Sequence, residues 1–416
     1  MALTQTLTDP GTDAGVRLAV TIGQRLVDRP PGTPHGTGTP AALDVTAGRA
    51  LLLRALARVD AEAADAWTAH ADAALAVLDE TTVADVAGPG LLSGAGGAVV
   101  ALADAAASDP AHLDRLVELQ ERLADDVLLA DPPDLDDLGW GDYDVVSGAA
   151  GQLLALVAAS RVLPPSPTVR AAAQTIVGGL TATLDGPLPC RVSPTRYLTA
   201  WESDAYPDGY VNLGLAHGVP GVVLALATAH RHAVADVDLA ALRRAASWVV
   251  SRRIPDRDGG APTWPTSWTG QAADEPDPSR TAWCYGTPGV ALALHAAAVA
   301  TGDDALAAPA RAALLARPDG DAVRSGTLCH GWAGLLLCAS SVAGDDDALR
   351  ALADAWALRV TSAATPGAAY AVPDVADDGA VQDDPGLLTG ASGVGLALLA
   401  HTHPAATATW RTSLGA

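Results

Sequence analysis

Two cysteines and two histidines are the side chains of this chain best suited to chemistry. Each lies within two residues of a Gly-x-x-Gly motif: His217, Cys284, Cys329 and His330. Thiolate and imidazole are the ligands that zinc prefers, and a catalytic zinc keeps three protein ligands and one open position. Two thiolates and one neutral imidazole also leave the metal site without net charge. The set Cys284, Cys329 and His330 is therefore a candidate zinc site.

The spacing of these residues is not that of a zinc finger, so spacing alone does not settle the question. Cysteine is among the most buried residue types, and both thiols can instead be small core residues. Cys338 lies inside an apolar run and is interpreted as core. Cys190 lies in a Pro-rich loop and stays unassigned. Four cysteines in a long chain without a signal peptide fit thiol or metal chemistry better than disulfides.

Four further residues are candidates for acid–base chemistry and for stabilising negative charge. His217 can exchange a proton near neutral pH, and Asp144, from the preceding repeat, can orient its imidazole. Arg280 can hold a carboxylate or enolate oxygen, and Tyr285 can donate a hydrogen bond. Each also has a structural interpretation, such as a helix N-cap for Asp144 or a helix-entry residue satisfied by backbone for His217.

The glycine motifs recur along the chain, and each precedes a run rich in Ala, Leu and Val. They are Gly94–Gly97, Gly148–Gly151, Gly218–Gly221, Gly286–Gly289, Gly331–Gly334 and Gly390–Gly393. A helix that is apolar on all sides must be buried, so these runs predict inner helices. Gly-x-x-Gly can also cradle phosphate at a helix start. Six copies without a Lys or a Walker pattern favour close packing instead.

Amphipathic segments lie between the motifs and predict outer helices. They are Asp109–Leu129, Val169–Leu184, Val237–Val250, Asp303–Leu315 and Asp346–Val360. An outer helix, a loop, a motif and an inner helix thus repeat along the chain, which indicates an all-α ring. The uneven motif spacing suits a closed α/α toroid better than a solenoid. A seventh pair is predicted from Ala47–Val59 closing against Ala405–Leu414.

Two regions are expected from this pattern. Residues 1–40 are predicted to form a partly flexible N-terminal arm, and residues 41–416 a single helical ring domain. The N-terminus lacks the basic and apolar regions of a signal peptide, which predicts a cytoplasmic protein. No apolar stretch is long enough for a membrane span. The formal net charge of −23 disfavours nucleic acid and anionic membranes as partners.

Taken together, these residues resemble the lanthionine synthetase C family, the lanthipeptide cyclases. Three motifs carry the resemblance: Ala216–Gly221, Trp283–Gly286 and Cys329–Gly331. It extends from about residue 45 to the end, because the glycine repeats are also in register. The resemblance implies a double ring of seven inner and seven outer helices. It also implies one Zn²⁺ held by Cys284, Cys329 and His330.

The activity that the resemblance implies is the closure of thioether rings in a precursor peptide whose Ser and Thr are already dehydrated. A peptide Cys thiolate adds to dehydroalanine or dehydrobutyrine, and the enolate is then protonated. The resemblance maps the acid–base residue to His217 and its supporting carboxylate to Asp144, with Arg280 and Tyr285 beside them. Expected partners are the precursor peptide, a separate dehydratase and an exporter. A membrane-associated synthetase complex is a further expected location.

Three alternatives stay open from the sequence. A relative of the same fold can add glutathione to dehydroamino acids with the same zinc and thiol chemistry. A zinc-stabilised scaffold without catalysis would need a fourth protein ligand, for which Cys190 is the spare thiol. A helical-ring glycosidase or terpene cyclase would need paired carboxylates or an Asp-rich motif on an inner helix. Asp345–Asp347 is better interpreted as a helix start than as such a motif.

Overall fold

Helices make up most of the described chain. The computed structural model describes residues 13–29, 42–80, 88–92, 94–255, 263–270, 280–316, 323–376 and 378–416. The helices in chain order are α1 (Ala14–Val27), α2 (Ala42–Val59), α3 (Ala64–Glu80), α4 (Ala95–Ala106), α5 (Leu113–Leu129), α6 (Trp140–Tyr143), α7 (Ala149–Ser160), α8 (Pro167–Thr183), α9 (Ala200–Ala205), α10 (Val219–Arg231), α11 (Leu239–Ser251), α12 (Thr287–Thr301), α13 (Asp304–Leu315), α14 (Trp332–Ala343), α15 (Asp347–Ser362), α16 (Ala391–Thr402) and α17 (Ala408–Ser413).

Seven of these helices form a closed inner ring. Each packs against the next in the order α2, α4, α7, α10, α12, α14 and α16, and α16 returns to α2. Seven others form an outer layer, in which α1 covers α16 and α3, α5, α8, α11, α13 and α15 each cover the inner helix that precedes them. The prediction of an α/α toroid with seven inner and seven outer helices is confirmed.

Burial explains which helices lie inside. Inner helices are buried on all sides; in α10, for example, every residue from Val219 to Ala229 is buried. Outer helices bury one face, and α5 does so through Leu116, Leu119 and Leu123. Burying each such leucine contributes about 1.5–3 kcal/mol. The five outer helices predicted from amphipathic spacing are all present. None of the described helices combines the length and apolar character needed to cross a membrane.

The seventh outer helix comes from the N-terminus. This corrects the predicted seventh pair, Ala47–Val59 with Ala405–Leu414, and the predicted N-terminal arm. Asp13 caps α1, because its Oδ1 accepts from Gly15 N at 2.6 Å, and Ile22 and Leu26 are fully buried. Residues 14–27 therefore form part of the ring and not an arm. The remainder of the predicted arm, apart from residues 13, 28 and 29, lies outside the described residues.

The C-terminal segment has a different place from the one predicted. Helix α17 packs against inner helices α4 and α7, and the 3-10 turn Pro404–Thr407 packs against α16 and α2. Trp410 and Leu414 are each 1% exposed. The segment thus lies against four inner helices and contributes nothing to the outer layer.

In the described part of the chain, two small sheets lie in the loops before inner helices. Strands β1 (Arg191–Val192), β2 (Tyr210–Asn212) and β3 (Ser267–Trp268) form an antiparallel sheet in that order. Strands β4 (Asp374–Val375) and β5 (Val381–Gln382) form an antiparallel pair between α15 and α16. These sheets shape the long loops that lead into the glycine motifs.

The glycine motifs fold each loop tightly onto the helix that follows it. The first glycine of each motif is the N-cap of its inner helix. In five motifs a Cβ on the last glycine would lie 1.9–2.3 Å from the carbonyl oxygen six residues earlier: Gly151, Gly221, Gly289, Gly334 and Gly393. The predicted close packing is therefore present, and it occurs between a helix and its own preceding loop.

Candidate metal and acid–base site

Backbone hydrogen bonds join the loops of successive repeats into one rim. Ala216 N donates to Cys284 O at 3.1 Å, Cys284 N donates to Cys329 O at 3.1 Å, and Cys329 N donates to Leu388 O at 2.8 Å. Ala216, Cys284 and Cys329 each lie five residues before the last glycine of their motif. The two thiols therefore occupy equivalent positions in adjacent repeats, which is why residues 45 apart in sequence meet.

The two thiols interact directly. Cys284 is 6% exposed and Cys329 is half-buried. The Cys329 thiol donates a hydrogen bond to the Cys284 sulfur, which lowers the pKa of Cys284; the positive charges of His330 and Arg280 act in the same direction. The same hydrogen bond, together with burial, raises the pKa of Cys329. Of the two thiols, Cys284 therefore ionises at the lower pH.

His330 follows Cys329 and is held by a carboxylate. Its Nε2 lies 3.1 Å from Oδ1 of Asp374, and the hydrogen bond to Asp374 raises the pKa of His330. Asp374 lies on β4, in the loop before α16, and was not identified from the sequence. That loop carries no repeated motif and varies in length between repeats, so nothing in the sequence marks this aspartate.

The three predicted zinc ligands lie together, but they are not arranged as a finished metal site. Among the described residues, no group of three or more His, Cys, Asp or Glu side chains converges so as to hold a metal ion. The donor set itself suits zinc, since it offers two neighbouring thiols and an imidazole.

The predicted acid–base pair is present one repeat away from Cys284. His217 Nδ1 lies 2.5 Å from Oδ2 of Asp144, whose side chain is completely buried. The other oxygen of Asp144 accepts from Ser147 N and Gly148 N, each at 2.7 Å, and from Ser147 Oγ at 3.1 Å. The imidazole is thus paired with Asp144 through Nδ1, and its Nε2 takes no part in this contact.

Aromatic rings fix the plane of the His217 imidazole. Trp140 stacks on it with ring centroids 4.6 Å apart and an interplanar angle of 20°, and the Tyr285 ring lies 5.8 Å away. The Tyr143 hydroxyl donates to His217 O at 3.2 Å. Trp140 was not identified from the sequence; it lies on the short helix α6, outside the glycine motifs.

Tyr285 and Arg280 lie on the loop that carries Cys284. Asn212 Nδ2 donates to the Tyr285 hydroxyl oxygen at 3.2 Å, and burial raises the pKa of Tyr285, so it remains a neutral donor. Arg280 is exposed, yet its charge contributes to the lowered pKa of Cys284 and partly opposes the rise in the pKa of Cys329. Both residues thus lie close to the thiol pair, as predicted.

A cleft opens beside the acid–base pair. Its walls include Trp140, Arg196, Leu198 and Glu202, and His217 lies within it with 22% of its side chain exposed. The imidazole of His217 is therefore accessible from this cleft.

The remaining two cysteines belong to the core. Cys190 Sγ lies 3.3 Å from Thr183 Oγ1, and burial raises the pKa of this thiol to about 12. Cys338 is fully buried within α14, as predicted. Because Cys190 is engaged with α8, it does not contribute to the thiol pair.

Comparisons with known proteins agree with this architecture. The sequence model of the family described as lanthionine synthetase C-like protein matches residues 43–414. The nisin biosynthesis protein NisC of Lactococcus lactis subsp. lactis is 28% identical over 208 residues, which are 47% of this chain and 48% of that protein. The sequence match thus spans about half the length of this relative. The solved structure of nisin cyclase superposes with a TM-score of 0.76 at 20% identity, with 96% of each chain covered.

Proposed function

Because this chain belongs to the lanthionine synthetase C-like family, we propose that it is a zinc-dependent lanthipeptide cyclase. Its substrate is a precursor peptide that contains dehydroalanine or dehydrobutyrine and free cysteines. The observation that carries the proposal is the rim. It brings Cys284 and Cys329, from two adjacent repeats, beside the His217–Asp144 pair, which comes from the two preceding repeats. The similarity to NisC and to the nisin cyclase fold supports it.

Cys284, Cys329 and His330 are the residues that hold the zinc in this proposal. Zinc, when bound, lowers the pKa of a peptide thiol and so supplies a thiolate at neutral pH. The family, the donor set and the lowered pKa of Cys284 support this assignment.

The chain's own residues manage the charge and the protons of the addition. The peptide thiolate forms a C–S bond with the β-carbon of the dehydro residue, and the π electrons move to the α-carbon and its carbonyl as an enolate. Arg280 and the neutral Tyr285 hydroxyl stabilise the enolate oxygen. His217, oriented through Nδ1 by Asp144, delivers a proton from Nε2 to the α-carbon. The proton released by the thiol balances the one that is delivered.

The partners follow from the same proposal. The substrate arrives already dehydrated, so a separate dehydratase acts before this protein, and an exporter acts after it. The reaction takes place in the cytoplasm, with the peptide entering by the cleft beside Trp140 and Arg196.

Cyclisation of a dehydrated peptide tests the proposal. Ring closure does not change peptide mass, so closure is measured as the loss of thiols that react with an alkylating reagent, followed by mass spectrometry. Wild type should close rings and contain about one zinc per chain, while Cys284→Ala should lose both zinc and closure. His217→Asn should retain zinc but lose about 10²–10⁴-fold in rate.

A matched control separates the role of His217 from that of any paired histidine. His401 also pairs with a carboxylate, since its Nε2 lies 3.0 Å from Asp354 Oδ1, but it lies at the end of α16 distant from the thiols. His401→Asn should leave the rate unchanged. Efficient addition of glutathione to a dehydrated peptide that lacks Cys, without ring closure in the Cys-containing peptide, would favour the glutathione-adding alternative. Zinc that survives Cys284→Ala in a protein without turnover would favour the scaffold alternative.

A further inference from the structure

Asp374 makes a set of contacts that the proposed reaction does not use. Its Oδ1 accepts from Ser325 Oγ at 2.6 Å and from Thr327 Oγ1 at 2.9 Å, and it lies 3.1 Å from His330 Nε2. The three partners come from one loop, the loop before α14 that carries Cys329. Asp374 itself comes from the next repeat, so it reaches across a repeat boundary to the candidate metal centre.

Asp374 is buried, and its Oδ1 faces three hydrogen-bonding groups. It is 6% exposed. Its Oδ1 accepts hydrogen bonds from the hydroxyl groups of Ser325 and Thr327 and faces Nε2 of His330. A buried carboxylate is costly unless it is hydrogen-bonded, so the three donors and Asp374 form a connected unit.

The contact with Asp374 decides which nitrogen of His330 carries a proton. A carboxylate only accepts hydrogen bonds, so the nitrogen facing it, Nε2, is the one that carries the hydrogen. In neutral imidazole the other nitrogen, Nδ1, then has a free lone pair. Ligand histidines in metalloproteins are commonly held in this manner through their second nitrogen.

We infer that Asp374 is the positioning residue of the metal centre, and that it fixes Nδ1 of His330 as the nitrogen that binds the metal. The inference rests on the proposed function only in taking His330 as a ligand. Ser325 and Thr327 hold the carboxylate in place, and the carboxylate in turn holds the imidazole. The preparation for metal binding is therefore built into the loop pair and is present before any metal arrives.

A simpler role for Asp374 is to clamp the two loops together. A clamp needs only the contacts with the Ser325 and Thr327 hydroxyl groups. It does not require a particular tautomer of His330. Two measurements distinguish the roles, and neither uses catalytic activity.

The first measurement is the tautomer of His330 in the metal-free wild-type protein. Long-range ¹H–¹⁵N spectra of histidine-labelled protein report which ring nitrogen carries the hydrogen, and His330→Gln assigns the signal. The spectra are recorded at alkaline pH, because the pKa of His330 is raised and the ring must be neutral. The hydrogen should lie on Nε2. A hydrogen on Nδ1 in wild type would overturn the inference.

The second measurement is zinc affinity by competition with a chromophoric chelator. Asp374→Asn keeps the size of the side chain but weakens the acceptor and allows the amide to donate to Nε2, which moves the hydrogen to Nδ1. Zinc affinity should fall about 10–100-fold. Thermal melting of the metal-free variant checks that the fold is intact. Thr327→Val removes one hydroxyl contact and keeps the His330 contact, so its affinity should fall less than that of Asp374→Asn.

The control is Asp354→Asn, which removes a carboxylate from His401 at a similar distance, 3.0 Å, on the outer helix α15. It should leave zinc affinity unchanged. Unchanged affinity in folded Asp374→Asn would leave only the clamp. A higher affinity would mean that Asp374 competes with the metal for Nε2, which also overturns the inference. If wild type binds no zinc, the proposed function fails, while the tautomer measurement still reports on Asp374.

Discussion

Substituting Gly334 tests whether the glycine motifs work by letting each loop lie against its own helix. A Cβ at this position would lie 2.0 Å from Leu328 O and 2.9 Å from the Cβ of Trp283. Real Cβ atoms essentially never approach closer than 3.0 Å, so the Leu328 carbonyl must move by about 1 Å. That carbonyl is backbone and directly precedes Cys329, and it cannot rotate aside as a long side chain can.

The expected cost of Gly334→Ala is at least about 3 kcal/mol, at the upper end of what overpacking causes in a core. Gly334 lies in the first turn of α14 and does not have a positive φ, so the cost is steric and not conformational. Alanine favours a helix over glycine by about 0.5–1 kcal/mol, which offsets only part of it.

The assay is thermal melting of metal-free protein, with Gly178→Ala as the control. Gly178 lies in the outer helix α8, and a Cβ there would meet no atom within 4 Å. Gly178→Ala should therefore raise the melting temperature slightly, while Gly334→Ala should lower it by several degrees. Equal melting temperatures for Gly334→Ala and wild type would refute the steric argument for the motif.

Two further predictions concern buried groups away from the reacting centre. Arg58 binds both oxygens of the buried Asp104, at 3.0 and 2.9 Å, so Arg58→Met should destabilise the fold by about 3–5 kcal/mol at neutral pH. Burial raises the pKa of Asp104 above its usual value, so this loss should shrink in melting experiments as the pH falls through that raised pKa and the carboxyl becomes neutral. Cys190→Ala should retain full zinc content by metal analysis, because the Cys190 thiol contacts Thr183 and not the thiol pair; loss of zinc would revive the scaffold alternative.

Sequence periodicity predicted the layers of the ring but not its closure. The inner helices and five outer helices follow from apolar runs and amphipathic spacing, which depend on local pattern alone. Helix α1 has a similar local pattern, with Val16, Leu18, Ile22 and Leu26 buried. It was missed because a Gly- and Pro-rich stretch separates it from the repeats and made the whole terminus resemble an arm. Its partner, α16, lies at the other end of the chain, and pairing across such a distance leaves no periodic signal.

The candidate site also has one part that the sequence could predict and another part that it could not. Cys284, Cys329, His330 and His217 stand at fixed places in repeated motifs, so the sequence could predict that they meet. Asp374, Trp140 and Asn212 lie in the non-repeated loops, and only the folded chain shows that they hold His330, His217 and Tyr285. The candidate reacting groups, and Asp144 beside His217, are thus readable from the sequence, while Asp374, Trp140 and Asn212 are not.

This division has a physical cause in the ring. The position four residues before the last glycine of a motif holds Ser147, His217, Tyr285 and His330 in four consecutive repeats. The fold places these side chains on the same rim. A change of residue type at this one position is therefore enough to give a repeat a different function. The repeat itself supplies only part of the orientation, such as the contact of Asp144 with His217, because it offers every repeat similar surroundings. The long loops break that symmetry, and the contact of Asp374 with the neighbouring repeat is the clearest case. A substitution of His217 or of a thiol should therefore remove a reacting group outright, whereas a substitution of Asp374 should leave His330 present but wrongly turned.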